Sequence, residues 1–153
     1  MRKFLILGLA LIFAFPACEK IKQHFAEHGH SHGGGSSNGK IELSLDNGKK
    51  WDADDHTMER ISSMRNHIAA AGSASGSELP GSAYTDIQKN LNGEVKDLIQ
   101  GCKMTGPAHD ELHKYLEILI PEIENLNRGD VVVSKTSLQN IDALLNKFQN
   151  YFE

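Results

Sequence analysis

The sequence is poor in most of what marks a specialised small domain. Two cysteines in 153 residues cannot build a disulfide framework or a zinc ribbon. Aromatic residues make up 7% of the chain, with a single Trp, which is little for the packed faces of a β-sandwich. Four prolines leave long stretches without a helix breaker. Positive charge is not in excess, and a net charge of −4 offers no concentrated basic face for nucleic acid. No Ser-His-Asp order, no His-Glu-x-x-His and no Gly-rich phosphate loop occurs, so the chain reads as a non-enzyme. A hydrophobic share of 39% suffices for one core.

One uninterrupted apolar run stands out. Arg2 and Lys3 precede Phe4 to Phe15, and Pro16-Ala17-Cys18 follows. A basic start, an apolar stretch and a small residue before the cut make a secretory signal. The run is too short to span a bilayer, which takes ~20 apolar residues. Ordinary cleavage after Ala17 would leave Phe15 where a small residue is required. The Cys at position 18 instead resembles a bacterial lipobox, in which that residue becomes the lipidated first residue of the mature protein. Phe15 and Pro16 depart from the usual Leu and Ser or Ala of that pattern. Glu19, not Asp, resembles the outer-membrane sorting signal, so the expected place is the cell envelope, facing the periplasm. Removal of residues 1–17 takes away Arg2 and Lys3 and leaves a more acidic domain. It would be held at the membrane by lipid and not by attraction to headgroups.

Residues 18–39 read as a tether. His24, His28, His30 and His32 supply half of the eight histidines, and Gly33 to Gly39 is a Gly/Ser linker with the character of a flexible coil. Clustered imidazoles bind Cu, Zn or Ni weakly and without selection. A polar spacer with no metal role explains the same residues equally well.

From residue 40 to 153 the sequence reads as one folded domain. Ile41, Leu43 and Leu45 alternate with polar residues, and Asp46-Asn47-Gly48 signals a turn before Trp51, which predicts a short strand or hairpin. Helical periodicity follows. The first helix is expected from Asp55 to Ala71, capped by Asp54 or Asp55, with Met58, Ile61, Met64 and Ile68 on one face. The second spans Ser82 to Gln100 with Tyr84, Ile87, Leu91, Val95 and Leu98. The third spans Pro107 to Asn127 with Leu112, Leu116, Leu119, Ile123 and Leu126, bent at Pro121. The fourth follows Ser134 with Leu138, Ile141, Leu145, Phe148 and Phe152. Short connections between four amphipathic helices predict an all-α, up-down-up-down four-helix bundle. Arg128-Gly129-Asp130 matches an integrin-binding triplet, but three residues at a turn carry no weight.

One group of residues exceeds what a fold needs. Cys102 continues the apolar stripe of the second helix, Met104 lies in the turn, and His109 and His113 stand one turn apart on the third. Antiparallel packing should bring all four to one end of the bundle, with His56 and Met58 from the start of the first helix, and leave His67 near the other. Taken singly, each is ordinary bundle packing or a surface residue. Together, a thiolate, a thioether and two imidazoles are the donors that suit copper. They are the ligand inventory of blue-copper sites, though not on that fold. Zinc on Cys102, His109, His113 and a water is the second choice. Haem is disfavoured, because no Cys-x-x-Cys-His and no small-residue face is present. If Cys18 carries lipid, no intramolecular disulfide remains for Cys102, and an exported thiol has to be buried, cross-linked between chains or used.

The segment LIQGCKMTGPAHDELHKYL, with LDNGKKW upstream and NYFE at the end, resembles a family of small exported bacterial helical lipoproteins. That resemblance spans most of residues 41–153 and is specific in Gly-Cys-x-Met-x-Gly and His-x-x-x-His. It implies no activity. The residue chemistry leads to an envelope lipoprotein that binds a transition metal, with copper as the first choice. The alternative is an adaptor that docks another envelope protein through its bundle surface.

Overall fold

The computed structural model describes residues 41–74 and 79–153. Helix α1 runs over Asp55–Ala74, α2 over Gly81–Gly101, α3 over Gly106–Asn125 and α4 over Val131–Lys147, followed by a single 3-10 turn at Phe148–Asn150. Each helix packs on its neighbour in sequence, and α1 closes against α4. The fold is therefore an all-α four-helix bundle of up-down-up-down order. Among the described residues no helix is long and apolar enough to cross a membrane. The expected signal segment, Cys18 and the histidine-rich tether all lie outside the described residues.

The apolar spacing explains which face each helix buries. On α2 the buried residues are Tyr84, Ile87, Leu91, Val95 and Leu98, the whole of the stripe expected there. On α3 Leu112, Leu116, Leu119 and Ile123 are buried, as is Leu126 directly after its last residue, and Tyr115 and Ile120 widen the stripe. Helix α3 continues through Pro121, whose exposed position leaves the unpaired carbonyl one turn back open to water.

Two helix starts depend on aspartates. Asp54 accepts a bond from Thr57 N–H at 2.7 Å and caps α1. Asp130 accepts from Val132 and Val133 N–H at 2.8 and 3.2 Å and begins α4 four residues before the expected start. That cap is the role of the aspartate in the Arg-Gly-Asp triplet. On α4 Ser134 and Ser137 are buried while Leu138 is only partly so. The Ser134 hydroxyl satisfies itself by donating to backbone carbonyls at Leu126 and Asp130, 3.0 and 2.9 Å away, which is why a polar residue is tolerated at this buried position.

Ahead of α1, Asn47 and Gly48 have φ of 51° and 88°, the paired left-handed conformations of a tight reversal. Asp46 and Lys49 exchange two 2.9 Å backbone bonds across it. Trp51 then pairs with Phe152, from beyond the last helix. Leu43 packs on the core, whereas Ile41 and Leu45 remain exposed.

Candidate metal centre

Helix α2 stops where Cys102 leaves the helical conformation at φ −59°, ψ 128°, its N–H still bonded to Leu98 O at 2.9 Å. Gly106, with φ +65°, then opens α3, and Pro107 sits in its first turn, where a missing N–H costs nothing. This short connection returns the chain so that Cys102 Sγ lies 3.7 Å from His109 Nδ1. His113, one turn further along α3, presents its ring edge-on to His109 with centroids 4.2 Å apart.

His109 is buried to 6% exposure, and His113 is half-buried. The Nε2 atoms of both are buried without a hydrogen-bond partner. An unsatisfied buried polar atom costs roughly 1–3 kcal/mol, which makes this pair of imidazoles the candidate site of the bundle. Every buried side-chain nitrogen or oxygen without a partner among the described residues lies in the first three turns of α1 or α3, at this same end. Burial holds the His113 imidazolium in disfavour, and the neighbouring His109 adds to the effect, against the pull of Asp110 and Glu117. The ring is thus poised in the neutral form that metals require.

The other expected members are at this end but differently engaged. Met104 is buried in the core, and Met58 packs partly exposed against it. His56 Nε2 lies 2.8 Å from the Asp97 carbonyl, and its ring occupies the space where a Cβ on Gly101 would fall. His67 bonds Glu94 at 3.2 Å, midway along α1 and α2, away from the thiol. Among the described residues no group of three or more His, Cys, Asp or Glu is already arranged to hold an ion. The thiol–imidazole pair itself has a suitable spacing. An ion with metal–sulfur and metal–nitrogen bonds of about 2.3 and 2.05 Å separates its two ligand atoms by roughly 3.6–3.8 Å in tetrahedral or trigonal geometry.

Two acidic residues at this end escape an analysis by apolar spacing. Glu111, between the two histidines, is buried to 2% and accepts bonds from Ser44 N–H, the Ser44 hydroxyl and Lys114 Nζ. Asp54 accepts from Lys103 N–H, directly after Cys102, as well as capping α1. Their only sequence signal is a carboxylate at a capping position and one out of phase with the solvent face.

A third carboxylate, the partly buried Glu94, joins α1 to α2 by accepting from Arg60 at 2.9 Å, Ser63 at 2.6 Å and His67 at 3.2 Å. Burial opposes ionisation of Asp54, Glu94 and Glu111, but their hydrogen bonds and cationic neighbours outweigh it, so all three carboxyls sit below their ordinary values. A depressed carboxyl contributes stability that is complete above its unfolded pKa and is lost as pH falls through the folded value. His113, also depressed, loses stability earlier, because below about 6.5 the unfolded chain takes up the proton first. The thermal midpoint should decline gently below pH 6.5 and steeply below about 4.5. Glu94→Gln should flatten the steep limb. Parallel curves for the two proteins would refute this.

A scan against protein-family models gives no match, and searches of curated proteins and of solved structures give none either.

Proposed function

We propose that this protein is an envelope lipoprotein, anchored through acylated Cys18, that binds a transition metal at one end of its helical bundle. The metal is copper, with Cys102, His109 and His113 as principal ligands and Met104, Met58 or His56 available to complete the set. The observation that carries this reading is the 3.7 Å approach of the Cys102 thiol to His109 Nδ1, with the buried, partnerless Nε2 of His113 one turn further along α3. Sulfur favours Cu(I), and imidazole serves either oxidation state. A soft thiolate with neighbouring imidazoles can accept and pass on a copper ion, which fits handling, sensing or electron transfer on the periplasmic side of the envelope.

The second reading, an adaptor without metal, draws on Val131, Val132 and Val133, which stand exposed at the start of α4, with Val132 at 74%. One experiment separates the two. Full-length protein lacking the histidines at 24, 28, 30 and 32 is loaded with Cu(I), dialysed, and its metal content measured. Retention of one copper per chain supports the metal reading, and a copper-free protein refutes it.

A further inference from the structure

The peptide that carries Cys102 is held from outside its own two helices. Asp54 divides its carboxylate, with Oδ1 accepting from Thr57 N–H to cap α1 and Oδ2 accepting from Lys103 N–H in the α2–α3 connection. Residue 54 is itself fixed by a clip of extended backbone. Trp51 N–H donates to Tyr151 O at 2.7 Å, Glu153 N–H to Trp51 O at 3.0 Å and Ala53 N–H to Glu153 O at 2.9 Å. Further upstream, Trp51 Nε1–H donates to Ser44 O at 2.7 Å, and Ser44 binds the Glu111 carboxylate on α3. Residues 44–54 thus form a strap fastened to α3, to residues 151–153 and to the peptide after Cys102.

We propose that Asp54 is a positioning residue for the metal site, which rests on the metal-binding reading above: through Lys103 N–H it sets the Cys102 thiol against His109. The physical need is plain. Residues 102–105 lie outside any helix, and each retains two soft backbone dihedrals. A ligand pair tolerates displacement of only about 0.5 Å before an ion can no longer be shared. A carboxylate accepting from a backbone N–H is a charge-assisted bond, stronger than a neutral one. Because the same side chain caps α1, the thiol is referenced to α1 and the strap as well as to α2.

Asp54→Ser tests the role selectively. Serine caps helices about as well as aspartate, so α1 keeps its start, but one hydroxyl cannot reach Thr57 and Lys103 together. Asp54→Asn keeps the shape and one acceptor oxygen, and serves if the serine variant unfolds. In full-length protein without metal, Lys103 amide exchange and the rate of Cys102 alkylation by iodoacetamide, read by peptide mass, should rise about fivefold or more in both variants. With Cu(I) held by a competing chelator, affinity should fall about tenfold and the thiolate-to-copper charge-transfer absorption should weaken. Unchanged alkylation and exchange would overturn the proposal, and so would native copper affinity and absorption in both variants. If the unsubstituted protein shows no thiolate–copper absorption, the metal reading fails, and the metal-free rates still decide whether Asp54 positions the thiol.

Discussion

Cu(I) added one-to-one should raise the unfolding midpoint of the full-length protein by more than about 10 °C, and Cys102→Ser or His113→Ala should abolish the rise. A ligand that binds only the folded state adds RT ln(1 + [L]/Kd), about 4 kcal/mol at a thousandfold excess over Kd. For a domain of this size that converts to a shift of that order. The selectivity comes from geometry. Cys102 and His109 are adjacent only because the short connection after Gly101 is closed, and the unfolded chain does not hold them together. Copper bound equally well by folded and unfolded chains moves no equilibrium, so the unfolding midpoint reads only a site that the fold assembles. His67→Ala should therefore leave the rise intact, since His67 bonds Glu94 away from the thiol. Differential scanning measurements on the four proteins decide the matter. A rise that survives Cys102→Ser would place the copper elsewhere.

Phe152→Ala should destabilise the protein by about 3–5 kcal/mol, the range for truncating a fully buried aromatic. Phe152 is 0% exposed, although it lies beyond α4 and the 3-10 turn. It stacks on Phe148 with centroids 4.5 Å apart and planes at 12°, and meets Tyr115 edge-on at 6.5 Å. Its backbone also pairs with Trp51, so its loss loosens the strap as well as the core. Trp51, the only Trp, reports this directly. Its fluorescence should shift to the red in native buffer before global unfolding. Phe152→Leu, which keeps most of the volume, should cost under about 1.5 kcal/mol. A denaturant midpoint in Phe152→Ala equal to that of the unsubstituted protein would show that this segment does not contribute to the core.

The helical bundle was legible in the sequence because apolar spacing is local information. Leu91, Val95 and Leu98, or Leu112, Leu116 and Leu119, recur at three and four residues, and only a helix places such residues on one face. The same spacing, with short connections, fixes which helix ends meet, so Cys102, His109 and His56 could be assigned to one end in advance. Element boundaries were less legible. The cap at Asp130 competes with three β-branched valines that lower helix propensity, and capping won.

What the sequence alone determined about this protein is therefore the bundle, its order and the residue types gathered at one end. Tertiary structure alone decided which of those residues face one another. His109 meets the thiol while His56 turns to the Asp97 carbonyl over Gly101. Met104 enters the core, and Asp54 and Ser44 reach residues 49 and 67 positions away. Such contacts depend on side-chain direction and on closure of long loops. Neither leaves a period in the sequence, because the partners are set by packing across the bundle and not by position along the chain.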